Sequence, residues 1–394
     1  MHFPVITALQ PVTTNFMPSE SEISKHRKIS ARLEAEIATG KYAAGARLPS
    51  ESQLVKQFDV SRPTVARALR DLETKGLIER RAGSGTYVKS AQSVRAGATR
   101  VLGLLVPGLS NTEIFHIICG EIANLARVHE YGLLWGGSTS PRQDADASLE
   151  HAEELCKQFI ERKISGVFFA PAELQPMQDQ ANSRLAESLR EAGIPVILLD
   201  RDLTPHPRRS DFDLVGIDNV AGGYMIAEHL IKLGCQRILF VCRPLSAGTV
   251  NARITGVREA LVQNHLEISP QLVKVGDPAD VKFVRSLVAG RLADAIICAN
   301  DDTAAMLIRT MELQGLHPPR DIRVVGFDDV KYATLVSVPL TTIHQPCRDI
   351  ATVAFETMLR RIAEPTLPAQ SINLTPTLVV RESCGAYLRV SRKA

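Results

Sequence analysis

Residues 48–88 read LPSESQLVKQFDVSRPTVARALRDLETKGLIERRAGSGTYV. Ser50 follows Pro49, and Gln53 stands three positions on, the spacing of a capping box at a helix start. Leu54 and Phe58 supply that helix's buried side. Asp59 and Val60 make a tight turn, and Ser61 caps the next helix. There Val65, Ala68, Leu69 and Leu72 fall on one stripe, with Arg67 and Arg70 facing away. Arg62, Pro63 and Thr64 form its first turn. Gly76 is placed as a C′ residue. A strand over Leu77–Glu79, a turn over Arg80-Arg81-Ala82-Gly83-Ser84-Gly85 and a return strand over Thr86–Val88 complete a hairpin. Upstream, Ile29, Leu33 and Ile37 predict a first helix over Lys25–Thr39, ended by Gly40. Helix, helix-turn-helix and hairpin describe a winged helix-turn-helix at residues 24–90.

This geometry sends the start of the third helix toward a major groove. Arg62 and Arg67 are long enough to reach a guanine edge or a phosphate. Ser61, Thr64 and the helix N-terminal N–H groups can donate to phosphates. Ser50, Pro63 and Arg81 border that surface, and Gly83 and Gly85 allow the wing tip a close approach to the backbone. Taken alone, Arg67 or Arg70 is as readily a solvated basic face. Charge placement agrees with a polyanion partner. The chain totals +3, yet residues 24–90 hold 14 Lys and Arg against 7 Asp and Glu, so the remainder carries −4.

The stretches Leu48–Leu54, Val60–Val65, Ala68-Leu69, Leu72-Glu73, Gly76–Ile78 and Gly83–Val88 closely resemble the GntR-family DNA-binding domain. The resemblance implies DNA contacts at Ser61, Arg62, Thr64 and the Gly83–Gly85 wing. It departs at Ala66, where many members carry an arginine that contacts DNA. Here Arg67 carries the charge, which leaves the base-reading pattern open.

Residues 1–23 are expected to be a disordered extension. Pro4, Pro11 and Pro18 interrupt its apolar stretches, and no basic region opens it, so it does not read as an export signal. Met17 is an alternative start. Ala91–Thr99 is small and polar and reads as a linker. From Arg100 to about residue 390, short apolar runs alternate with helix-length segments. The runs are Val101–Val106, Leu133–Trp135, Gly166–Phe169, Pro195–Leu199, Leu214–Ile217, Ile238–Val241, Ala295–Cys298 and Val324–Phe327. Such alternation predicts doubly wound parallel α/β sheets, and the length predicts two lobes.

Ligands of these folds bind beyond the carboxyl ends of strands. The polar residues there are Ser110 and Asn111, Asp200-Arg201-Asp202, Arg243, Asn300-Asp301-Asp302 and Asp328-Asp329. Carboxylates and arginines can each make two hydrogen bonds to vicinal hydroxyls. Each is equally readable as a turn or cap, and Asp302 and Asp329 are read as such.

Val101–Pro107, Gly193–Arg201, Ile217–Asn219, His229–Gly234, Arg253 with Gly256, Ala299–Asp302, Val324–Asp329 and Leu340–Gln345 resemble the LacI/GalR-type sensor domain, itself similar to periplasmic sugar-binding proteins. That resemblance implies a cleft using Asp200, Arg201, Arg253, Asp301 and Gln345, with Arg253 and Asp301 as the main anchors. Asn111 and Glu113–Phe115 would line the N-lobe side, Phe115 as a stacking platform or as core. Lobe crossovers are expected near Pro205–Asp213, Thr342–Pro346 and Asn373–Thr377. The family's own DNA-binding headpiece and hinge helix are replaced by the GntR-like module, an AraR-like architecture.

The expectation is therefore a cytoplasmic, dimeric repressor that binds a palindromic double-stranded DNA operator. A small-molecule effector, a sugar or sugar derivative before a nucleoside, releases it. A solute-binding protein feeding a transporter fits the sensor but not the winged helix. Enzymes joining such a head to an aminotransferase-like body need a Schiff-base lysine motif, which is not evident. No catalytic residues, metal or cofactor are expected: the seven cysteines form no C-x-x-C pair, and no apolar run reaches the roughly 20 residues of a membrane span.

Overall fold

The computed structural model describes residues 23–38, 41–42, 46–74, 77–81, 85–88, 100–106, 113–135, 145–174, 176–291 and 293–387. The N-terminal extension up to residue 22, Gly40, Gly76, Gly83, the 91–99 linker, Ser110 and Asn111 lie outside them. The chain forms two compact units, Met1–Gly97 and Ala98–Ala394.

In the first unit, helices α1 (Ile23–Ala38), α2 (Glu51–Phe58) and α3 (Arg62–Thr74) precede strands β1 (Ile78–Arg81) and β2 (Gly85–Val88). Their apolar stripes meet in one core of Ile29, Leu33, Leu54, Val65, Leu69, Leu72 and Ile78. The capping box forms: the Gln53 amide donates to Ser50 Oγ at 3.3 Å and the Ser50 amide donates to Gln53 Oε1 at 2.8 Å. Asp59 ends α2 in the left-handed conformation, φ 48°. The β1–β2 pair is antiparallel, with Arg81 opposite Gly85. Residues 46–48 add a third line to the wing, because Leu48 donates to Thr86 and Val88 donates to Ala46. Nothing in the local pattern marks that segment as a strand.

The second unit has two lobes. The N-lobe sheet is wholly parallel and runs β13-β7-β6-β5-β3-β4. Its strands are β3 (Val101–Leu105), β4 (Gly132–Trp135), β5 (Gly166–Phe169), β6 (Val196–Leu199), β7 (Asp213–Ile217) and β13 (Ser371–Leu374). Helices α4 (Ile114–Val128) and α12 (Cys347–Ala363) pack together over one face; α5 (Ala145–Glu161) and α6 (Gln178–Glu191) cover the other. The C-lobe sheet runs β11-β10-β8-β9, also parallel, from β8 (Ile238–Cys242), β9 (Val273–Val275), β10 (Ala295–Cys298) and β11 (Arg323–Val325). It is flanked by α7 (Asn219–Lys232), α8 (Gly248–Gln263), α9 (Val281–Val288) and α10 (Asp301–Glu312). A short helix, α11 (Tyr332–Leu335), follows β11, and β12 (Thr342–His344) pairs antiparallel with β14 (Thr377–Val379).

Among the described residues the chain passes between lobes three times. The first passage is at Asp218, not within Pro205–Asp213 as expected: β7 still pairs with β6 and β13 in the N-lobe sheet, so the chain leaves only after Ile217. The others fall between β12 and α12 and between β13 and β14. Strand order reverses at β3/β5 in one lobe and at β8/β10 in the other, which places the loops after these strands at the crevice mouth.

Candidate functional site

The first unit presents a basic surface at the start of α3. Ser61, Arg62, Pro63 and Arg67 are exposed. Ser61 Oγ and Thr64 Oγ1 share a hydrogen bond of 2.8 Å. Arg62 Nε donates to Glu51 Oε2 at 3.3 Å, and Arg80 lies 3.5 Å from Glu51 Oε1 and 3.6 Å from Glu73. Gly85 has φ +123°, and a Cβ there would sit 2.6 Å from Arg47 Nε. That φ strains any L side chain, and a Cβ would also push the Arg47 guanidinium aside. Arg80 thus joins Arg62 around Glu51, and Arg47 lies against the wing at Gly85, in a segment whose bridge to Tyr87 no local sequence pattern shows.

In the second unit, arginines and carboxylates from both lobes form one buried network. Asp200 follows β6 in the left-handed conformation, φ 66°. The two β6-end residues meet side by side, since Arg201 Nε donates to Asp200 Oδ2 at 3.2 Å. Arg201 also pairs with Glu173 at 2.7 Å and covers the Phe115 ring at 5.3 Å. Phe115 is in the α4 core, 3% exposed, so it supports Arg201 from below.

From the C-lobe, Arg253 of α8 stacks on Phe327 at 3.7 Å. It donates to Asn219 Oδ1 at 2.8 Å and to the Ala299 carbonyl, and stands 3.5 Å from Asp328. Gln345 Nε2 donates to Asp328 Oδ1 at 2.7 Å. Asp200 Oδ1 and Gln345 Oε1 are buried with no partner in the protein. Burial pushes the Asp328 carboxyl up to about 7; Arg253 opposes the rise and Asp200 adds to it.

Asp301 opens α10 but is fully buried, with both oxygens taken: Thr342 Oγ1 donates at 2.6 Å and the Val330 amide at 3.1 Å. It braces the Asp328 loop from behind instead of facing open space. Burial, and the nearby Asp328, hold its carboxyl well above the usual range. Asn300 caps α10, Asp302 pairs with Arg243 at 3.1 Å, and Asp329 pairs with Arg381 and His344. Asp328, absent from the anchor set read off the sequence, sits at the centre of the network. Its place next to Asp329 at a strand end was the available signal.

The crevice is closed. The Lys331 amide donates to Glu113 Oε2 at 3.0 Å, the Ala247 amide to Glu173 Oε2 at 3.2 Å, and Gln178 Nε2 to the Leu245 carbonyl at 3.1 Å, each bond joining one lobe to the other. A remaining opening is lined by Asp200, Asp202, His206, Arg208, Arg209 and Asn219, among others. Among the described residues no cluster of His, Cys, Asp and Glu is arranged for a metal, and no helix is long and apolar enough to cross a membrane. All seven cysteines are free and buried.

Comparison with known proteins agrees with this division. The model of bacterial regulatory proteins of the gntR family matches residues 25–88, and that of the periplasmic binding protein-like domain matches residues 227–384. The arabinose metabolism transcriptional repressor of Geobacillus stearothermophilus is 26% identical over 374 residues, covering 92% of this chain and 98% of that protein. The ribose operon repressor of Escherichia coli K12 is 26% identical over 298 residues, 74% of this chain and 84% of that protein. A solved transcriptional regulator CelR–cellobiose complex superposes with a TM-score of 0.61 at 22% identity, covering 82% and 91% of the two chains. The chain thus carries a region similar to the gntR-family regulatory proteins at residues 25–88 and one similar to the periplasmic binding protein-like domain at residues 227–384. These relatives are transcriptional regulators, not enzymes.

Proposed function

We propose that the chain is a cytoplasmic, sequence-specific transcriptional repressor whose hold on its operator is released by a sugar bound between the sensor lobes. The observation that carries this reading is the buried two-lobe network with two unpartnered acceptors, on the same chain as an exposed arginine-bearing helix start. Asp200, Arg201, Arg253 and Gln345 contact the effector directly. Phe115 and Asp301 hold Arg201 and the Asp328 loop in place, and Asn111 lines the N-lobe side. On the DNA side Ser61, Arg62, Thr64 and Arg67 engage phosphates and base edges, flanked by Ser50, Pro63 and Arg81 and by the Gly83–Gly85 wing.

Relatives over most of the chain are repressors of arabinose and ribose genes, which supports both repression and a sugar effector. The fused architecture is AraR-like, without fixing arabinose as the ligand. Two protomers present two recognition helices, so the operator is palindromic. The effector acts through its differential affinity for the two states of the protein. Operator selection from randomised duplexes, followed by titration with sugars, tests this reading. Release by a sugar is expected. Gel filtration that finds a monomer both with and without operator contradicts the dimeric scheme.

A further inference from the structure

We infer that Glu173 is a latch between the sensor lobes: from the N-lobe its carboxylate completes the uncapped start of α8 in the C-lobe, and this contact holds the crevice closed in the protein without effector. The inference goes beyond the functional reading above and does not depend on which molecule the site takes.

The helix starts of the C-lobe show what α8 lacks. Helices α7, α9 and α10 begin on Asp218, Asp280 and Asn300, whose side chains accept from amides of the first turn. Helix α8 begins behind Ala247, with Gly248, Thr249 and Val250 as its first residues and no acidic residue in its first turn. In a capping box the third helical residue accepts from the amide of the cap residue, and Val250 has no atom to do so. Glu173 takes that part from the other lobe, since the Ala247 amide donates to its Oε2 at 3.2 Å. The carboxylate there also meets the positive end of a 16-residue helix.

The second oxygen fixes where this carboxylate points. Glu173 Oε1 pairs with Arg201 Nη1 at 2.7 Å, and the Glu173 side chain is 13% exposed. Arg201 is held in turn by Asp200 and lies over Phe115, both of the N-lobe. Glu173 is therefore anchored to its own lobe by one oxygen and offers the other to the helix that carries Arg253. Two bonds flank this contact: the Leu174 amide and Gln178 Nε2 both donate to the Leu245 carbonyl, at 2.9 and 3.1 Å. Leu174 and Leu245, one on each lobe, have φ 61° and 59°, a region leucine seldom enters and keeps only where its surroundings impose it. Opening the crevice leaves the Ala247 amide without this acceptor and Glu173 with Arg201 alone. Glu173 thus weights the closed state and acts on Arg253 as a positioning residue, through α8.

The test is amide-resolved hydrogen–deuterium exchange on the full chain without effector. Lys331 is the distant reporter, because its amide donates to Glu113 Oε2 at 3.0 Å across the crevice between a different pair of segments. Glu173→Ala is expected to speed exchange about tenfold or more at Ala247 and at Lys331 together. The amides of Val167 in β5 and Val257 in α8 should stay protected, which verifies that both lobes remain folded. Glu173→Gln keeps an acceptor for Ala247 and loses the charge, so the same two changes should appear at smaller size; this variant carries the test if Glu173→Ala loses protection at Val167 or Val257. Faster exchange at Ala247 with Lys331 unmoved reduces Glu173 to a local cap and overturns the latch, as does a folded variant in which neither amide changes.

Discussion

One carboxylate, Glu51 at the head of α2, holds Arg62 at 3.3 Å and lies 3.5 Å from Arg80. Two cations of the surface proposed to face DNA are thereby restrained in the free protein. The pairs are solvent-exposed, so their loss costs the fold less than about 1 kcal/mol. Glu51→Gln is expected to leave thermal stability nearly unchanged and to raise affinity for random-sequence duplex several-fold, with a steeper salt dependence. Arg62→Ala should weaken operator binding by about 1–3 kcal/mol. Fluorescence anisotropy at several salt concentrations checks both.

Close packing of α7 on α8 sets the position of Arg253. A Cβ on Gly256 would lie 1.9 Å from the Val220 carbonyl oxygen, and one on Gly223 would lie 2.0 Å from the Arg253 carbonyl oxygen. Backbone atoms cannot yield as side-chain tips do, so the helices must separate. Gly256→Ala is expected to destabilise the sensor by at least about 1–3 kcal/mol and to weaken effector binding more than operator binding. Denaturant unfolding and titration of the same variant separate the two effects.

Arg361 near the end of α12 makes a two-pronged pair with Asp213 at the start of β7, at 2.7 and 2.9 Å, and Asp213 also accepts from the Gln370 amide. This ties the last N-lobe helix to the strand beside β13. Asp213→Ala leaves a mostly buried guanidinium without its counter-charge and should cost about 3–5 kcal/mol, read as a fall in the denaturant midpoint.

Asp328 gives the sensor an inverted pH response. Its folded carboxyl titrates near 7, whereas an unfolded aspartate titrates near about 3.9. Between those values the folded state binds more protons than the unfolded one, so this group's contribution to stability is present at low pH and declines as pH rises from about 4 to 7. Asp301, also raised, acts in the same direction. Asp328→Asn should flatten the wild-type decline in melting temperature between pH 5 and pH 8. An unchanged slope would assign the effect elsewhere.

Much of the fold was legible in the sequence because its signals are local. The Ser50–Gln53 box, the Val65–Leu72 stripe and the apolar runs of the buried parallel strands each report on a few neighbouring residues. Helix α12 was also legible, though it stood outside the elements read. Cys347, Ile350, Ala351, Ala354, Phe355 and Met358 form its buried stripe. What no local pattern shows is which lobe it covers, or that β13 pairs with β7 and β14 with β12. Those pairings are long-range, and the strands are only four and three residues long.

The site divides the same way. Of the residues read at strand ends, Asp200 and Arg201 meet each other, while Arg253 and Gln345 both meet Asp328. Which oxygen of each is already spent depends on partners far along the chain. Thr342 and the Val330 amide each donate to one oxygen of Asp301, contacts that nothing in the Asn300-Asp301-Asp302 run announces.

The most direct test of the central claim is anisotropy of an operator obtained by selection, titrated with the full chain and then with individual sugars. The account predicts tight, salt-dependent binding by a dimer, lost on Arg62→Ala, and release by one sugar that no longer acts on the Asp200→Asn variant. Specific binding that no sugar alters, or release that survives Asp200→Asn, would contradict it.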